Sequence, residues 1–130
     1  MIVVDASALL EVLLRTPTAK AVEDQLFASR QTLHVPHVLD VEIAQVIGRS
    51  AAKGDLDGES GREALADLAD PPMRRYPHDF LLPRIRDLRN SLSAYDAAYV
   101  ALAEVLDAPL VTRDRRLAAA AGHHAQIDLL

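Results

Sequence analysis

The sequence predicts an α/β sandwich, with a central, mostly parallel sheet and helices on both faces. Three observations carry this expectation. Short β-branched apolar runs, with "IVVD" at the start, have the unbroken hydrophobicity of strands buried on both sides. These runs alternate with segments of helical periodicity, which supply the crossovers that parallel neighbours require. Half of the 130 residues are hydrophobic and many are alanine, yet there are only two Phe, three Tyr and no Trp. That composition suits closely packed helices better than an aromatic-rich β-sandwich.

Each element has its own signal. "IVVD" reads as a short parallel-type strand. "ASALLEVLL" repeats leucine at 9, 10, 13 and 14, one face of a helix. Thr16-Pro17 reads as an N-cap followed by proline at the first helical position, opening a helix over about 17–29. "TLHVP" is a second strand that Pro36 ends. "VLDVEIAQVIGRSAAKG" is helical, with Val38, Val41, Ile43 or Ala44, Val46 and Ile47 on or near one side and Gly54 as its stop. Residues 57–69 form another helix. "MRRYP" is a candidate short strand, and "HDFLLPRIRDLRN" a helix limited by Pro83. "SAYDAAYVALAEVLD" is the clearest helix. "APLVTRD" is a strand and turn, "RRLAAAAG" a last helix and "AQIDLL" a last strand.

The length predicts one domain over residues 1–130. The absence of cysteine removes disulfides and thiolate metal sites, and fits a reducing, cytoplasmic setting. No apolar stretch approaches the ~18 residues of a membrane span. Asp5 interrupts the first apolar run and no basic segment precedes it, which argues against a signal peptide. The net charge of -5 argues against a protein that coats duplexes. Contact with nucleic acid would have to run through a local basic patch or through metal ions.

Four carboxylates stand out. Asp5 ends the first strand, where a charge at the core edge is costly without compensation. Asp114 lies just past another strand, two residues after Thr112. Open parallel sheets bind ligands beyond such carboxyl ends. Glu42 sits between Val41 and Ile43, a setting for partial burial. Asp96 follows Ser93 at capping-box spacing, in the first turn of its helix, where the helix dipole favours negative charge. Taken singly, Asp96 and Asp114 read as helix caps and Glu42 as an edge residue. Taken together, four acids from four elements can converge at one end of the sheet. Such a cluster cannot stay fully ionised without cations. Oxygen-only ligands favour Mg²⁺ or Mn²⁺, ions that activate water and stabilise charge in phosphodiester hydrolysis.

The succession "VVDAS…DVEIAQV…SAYDAAYVALAE…PLVTRDRRLA" resembles the PIN-domain ribonucleases, most closely the VapC-type toxins of toxin–antitoxin pairs, over essentially the whole chain. The resemblance implies a PIN-like α/β/α sandwich and a metal-dependent endoribonuclease acting as the toxin of a type II pair. It implies Asp5, Glu42, Asp96 and Asp114 as metal-binding and catalytic residues, with Ser7 and Thr112 orienting them, and Mg²⁺ or Mn²⁺ as cofactor. It further implies an RNA substrate, a small antitoxin that blocks the site, and a toxin homodimer. Some relatives carry a further aspartate in or after the "TRD" turn. Here Arg115, Arg116 and Leu117 follow instead, so RNA phosphate would complete any second cation site, or one ion suffices. The alternative is a catalytically silent PIN-like interaction module.

Other chemistries lack their motifs. Ser7 occupies the place of the second aspartate that aspartyl-phosphate enzymes need. Gly54, Gly58 and Gly61 make no P-loop, and neither an HExxH motif nor a nucleophile elbow is present. His34 and His37, near Pro36, read as loop or surface residues, as do His123 and His124. Arg74-Arg75 and Arg84-Arg86-Arg89 read as solvated surface. Arg113, Arg115 and Arg116, around Asp114, are the candidates for RNA phosphates.

Overall fold

A computed structural model describes residues 1–130. The apolar runs become five strands: β1 (Ile2–Val4), β2 (Leu33–Pro36), β3 (Met73–Tyr76), β4 (Leu110–Thr112) and β5 (Ile127–Leu129). All pair in parallel, in the order β3-β2-β1-β4-β5. The candidate strand at "MRRY" is real and forms one edge. From β1 the chain steps outward to β2 and β3, then returns to lay β4 on the other side of β1. The strand order therefore reverses at β1, and a crevice opens between the carboxyl ends of β1 and β4, the position where open α/β sheets bind ligands.

Seven helices complete the α/β/α sandwich: α1 (Ala6–Leu13), α2 (Ala19–Leu26), α3 (Val38–Ala52), α4 (Gly58–Asp67), α5 (Leu82–Asp87), α6 (Ala94–Leu106) and α7 (Arg115–Ala119). Pro83 sits in the first turn of α5, where a missing N–H costs nothing. A 3₁₀ turn at Asp79–Leu81 takes up the residues before it. Helix α6 lies against β1, β2 and β4, with α5 on its flank. It can come so close because Ala97, Ala98, Ala101 and Ala103 line its buried surface; among them Tyr99 is the largest fully buried side chain in the protein. Gly54 stops α3 with φ +80°, a backbone conformation open to glycine.

Four expectations change. Helix α2 starts at Ala19, not at Pro17, because Thr16 and Thr18 do not cap it. Both hydroxyls turn instead to the Glu11 carboxylate at the end of α1, Thr18 at 2.6 Å. The buried stripe of α3 is Leu39, Ile43 and Ile47, spaced four apart. Val41 and Val46 lie off that stripe and are exposed, and they line a shallow groove with Gln45, Arg49 and Tyr95. His34 is no surface residue: it is 6 % exposed within β2. Its ring is held by the Tyr76 hydroxyl at 2.7 Å and Thr32 Oγ1 at 2.9 Å. Two of the surface arginines are structural clamps. Arg75 grips Asp40 with bonds of 2.7 and 3.0 Å, and Arg84 grips Glu104 at 2.8 and 3.0 Å.

The reassigned face of α3 is testable by chemical denaturation. Ile43→Ala should cost about 2–5 kcal/mol, the range for deleting a buried Ile. Val41→Ala, at a position 69 % exposed, should stay within ~0.5 kcal/mol of wild type.

Candidate active site

The crevice is built from β1 and β4 outward. Asp5 follows β1 at the N-cap position of α1, in extended conformation, yet its side chain caps nothing. Its Oδ2 accepts instead from Ser7 Oγ at 2.6 Å and from Thr112 Oγ1 at 2.8 Å. Thr112 is the last residue of β4, so this bond ties the two strand ends together across the point of reversal. Each hydroxyl also accepts a backbone N–H from the loop after β4. Arg113 N donates to Ser7 Oγ at 2.9 Å, and Asp114 N to Thr112 Oγ1 at 3.0 Å. Ser7 and Thr112 thus fix one oxygen of a buried carboxylate and the turn beside it.

Asp114 caps α7, its Oδ1 accepting from Arg116 N at 2.9 Å. At Asp96 the capping is done by Ser93, whose Oγ accepts from Asp96 N at 3.2 Å. Asp96 stays half-buried in the first turn of α6. Glu42 lies on α3 between exposed Val41 and buried Ile43, and is half-buried itself. Helices α1, α3, α6 and α7 all begin at this end of the sheet, and their positive dipole ends favour the carboxylates there.

The four acids feel one another. Burial, then the charges of Asp5 and Asp96, push the Glu42 carboxyl up to about 7. Burial and Asp5, then Asp114, raise Asp96, against the hydrogen bond with Ser93 and a smaller pull from Arg116. No three of them stand close enough to share an ion as the side chains lie. The donor set nevertheless fits a hard divalent cation: it is all oxygen, anionic and partly desolvated. Glu42 Oε1 is also buried without a hydrogen-bond partner, a position that an ionised carboxylate tolerates only beside positive charge or a donor.

The three arginines divide. Arg113 is half-buried and reaches back toward Glu11, its Nε 3.7 Å from the carboxylate. Arg115 and Arg116 are exposed at the rim, Arg116 with Nε 3.9 Å from Asp114. One polar residue escaped the sequence reading. Tyr99, one turn beyond Asp96 on α6, is fully buried beside Glu42, and its hydroxyl has no partner.

A parallel sheet that reverses at β1, with acidic side chains at the carboxyl ends of its strands, is an α/β domain with its site at the reversal. The chain belongs to the PIN domain family, which matches it over residues 2–123, and within that family to the VapC ribonucleases. It is 49 % identical over 117 residues to Ribonuclease VapC9 of Mycobacterium tuberculosis, covering 90 % of this chain and 88 % of that one. It is 38 % identical over 130 residues to Ribonuclease VapC12 of the same organism, covering 100 % and 99 %. Its fold is similar to the crystal structure of PAE2754 from Pyrobaculum aerophilum, with a TM-score of 0.75, 26 % identity and coverage of 99 % and 83 %. It is also similar to VapBC2 from Rickettsia felis bound to a promoter DNA fragment, with a TM-score of 0.73 at 13 % identity and coverage of 100 % and 99 %.

The raised Glu42 carboxyl has a consequence for stability. The folded chain binds the Glu42 proton more tightly than the unfolded chain, so ionisation penalises the metal-free fold as pH rises through about 4.5 and then about 7. Glu42→Gln removes the charge and keeps the shape. In EDTA, the variant should melt higher than wild type at pH 8, and the gap should close toward pH 4.5. Thermal melts across that range check it, and a gap independent of pH would contradict it.

Proposed function

We propose that this protein is the toxin of a type II toxin–antitoxin pair, a metal-dependent endoribonuclease working through the crevice between β1 and β4. The observation that supports the reading is that Asp5, Glu42, Asp96 and Asp114 lie at one end of the sheet and influence one another's charge, with Glu42 Oε1 sealed and unpartnered. Its VapC relatives, named ribonucleases, support RNA as the substrate. Asp5, Glu42, Asp96 and Asp114 hold Mg²⁺ or Mn²⁺. When bound, the cation supplies Lewis-acid stabilisation of charge on the phosphodiester and eases ionisation of the attacking water.

The chain's own groups do the rest. Ser7 and Thr112 lock one oxygen of Asp5 and leave the other for the crevice. The α7 cap likewise commits one oxygen of Asp114 and orients the second. Arg115 and Arg116, exposed at the rim, meet RNA phosphates. Arg113, drawn toward Glu11, contributes mainly to the shape of the loop. With few aromatics on hand for base stacking, the choice of RNA rests on its shape and loops.

Residues 1–130 work as one PIN domain, cytoplasmic and homodimeric, and a small antitoxin shuts the site. A similar fold occurs in VapBC2, a toxin–antitoxin assembly. An acidic crevice is best plugged by arginine, whose guanidinium bonds carboxylates bidentately. The complete set of four acids disfavours a catalytically silent module.

The test is cleavage of RNA by the antitoxin-free protein. EDTA should abolish it, Mg²⁺ or Mn²⁺ should restore it, and Asp96→Asn should lower it by roughly 100-fold or more. Undiminished cleavage in EDTA would overturn the proposal.

A further inference from the structure

We infer that Tyr99 is a positioning residue for the metal site: its buried hydroxyl donates to Glu42 Oε1 and fixes that carboxylate toward a divalent cation. The inference rests on the proposed metal-dependent function and extends it to a residue outside the set of acids.

Two orphaned atoms point to it. Glu42 Oε1 and the Tyr99 hydroxyl are each buried without a hydrogen-bond partner. Tyr99 lies beside Glu42, within reach of its charge, and no other group satisfies either atom. One is an acceptor and the other a donor, so each is what the other lacks. Buried polar atoms left unpaired are rare, and a donor and an acceptor side by side can satisfy each other. Glu42 Oε2 is not sealed in this way, which leaves the second oxygen of the carboxylate for the crevice.

The placement on α6 supports the same reading. Ser93, Asp96 and Tyr99 are spaced three apart and share one side of the helix. Ser93 caps it, Asp96 faces the crevice, and Tyr99 lies one turn deeper, under the acids. Its neighbours on the buried surface are Ala97, Ala98, Val100 and Ala101, none of which offers a polar group. Phenylalanine would fill the same space without burying a hydroxyl. A phenol hydroxyl carries one proton to donate, which an acceptor such as a carboxylate oxygen needs.

The physical logic is that of outer-shell partners in metal sites. A carboxylate on a long side chain such as Glu42 loses rotamer freedom when it binds an ion. A donor fixed in a rigid core removes part of that freedom in advance, and such partners typically govern metal affinity by 10- to 100-fold. Asp5 already has this support from Ser7 and Thr112. Tyr99 gives Glu42 the equivalent, from below the site rather than beside it. Because the phenol is wholly buried, it has no route to RNA, and its effect falls on metal binding and turnover rather than on substrate binding.

The experiment measures Mn²⁺ affinity of the RNA-free protein by electron paramagnetic resonance, for wild type, Tyr99→Phe and Tyr76→Phe. Tyr99→Phe keeps the ring and deletes only the hydroxyl; its melting temperature in EDTA, equal to or above wild type, confirms the fold. Tyr76→Phe, on edge strand β3, which β2 separates from β1, removes a hydroxyl that serves His34. The expected result is a Kd for Mn²⁺ raised about tenfold or more in Tyr99→Phe and changed less than about twofold in Tyr76→Phe. Cleavage assays at limiting Mn²⁺ should show a lower kcat in Tyr99→Phe with KM for RNA unchanged. If wild type binds Mn²⁺ and Tyr99→Phe binds it equally well, the tyrosine is a packing residue and the inference fails alone. Equal weakening by both variants also overturns it. If wild type neither binds Mn²⁺ nor cleaves RNA, the proposed function fails and takes this inference with it.

Discussion

The hydrogen bonds that Asp5 accepts from Ser7 and Thr112 hold the rest of the site in place. They join the end of β1 to the end of β4 where the strand order reverses, so the crevice has fixed walls. They also explain a carboxylate tolerated at 5 % exposure: one oxygen is satisfied by two hydroxyls, and the other is free for chemistry. The two backbone N–H groups that Ser7 and Thr112 accept then set the turn that brings Asp114 into place. Chain reversal, buried charge and loop geometry are one network rather than three features.

Helix α6 brings the opposite wall to this network. Its alanines let the helix axis approach the sheet, and closeness puts Asp96 within the field of Asp5. The cost of that compactness is buried charge and, after it, mutual repulsion among the acids, and both show in the raised carboxyls of Glu42 and Asp96. The fold accepts this electrostatic strain at one end and secures itself elsewhere. A contiguous apolar core holds the layers, and bidentate Arg75–Asp40 and Arg84–Glu104 clamps tie α3 to β3 and α5 to α6.

Much of this was legible in the sequence, and the exceptions have physical reasons. Asp5, Asp96 and Asp114 could be placed because each sits at a junction, strand end or first turn, that local signals mark well. Ser7 and Thr112 were marked by the family resemblance rather than by a local signal of their own. The exposed valines were misread because α3 is apolar almost all round near its start, and periodicity alone does not choose between the stripe of Leu39 and Ile43 and that of Val41 and Val46. His34 was misread because a strand buried on both faces hides a polar residue as readily as an apolar one; the partners that satisfy it, Tyr76 and Thr32, were not identifiable before the pairing of β2 with β3 was known. Tyr99 passed unnoticed for a related reason. On an alanine-rich helix a tyrosine reads as bulk for the core, and only the orphaned hydroxyl beside Glu42 sets it apart.

The central claim is that the crevice between β1 and β4 gathers a divalent cation through carboxylates from four separate elements. The most direct measurement is an anomalous difference map from crystals grown with Mn²⁺. The account predicts a strong peak in that crevice, within coordination distance of carboxylate oxygens of Asp5 and Asp96, with Glu42 or Asp114 turned toward it. A map with no peak there at millimolar Mn²⁺, or with its only peak elsewhere on the surface, would contradict it.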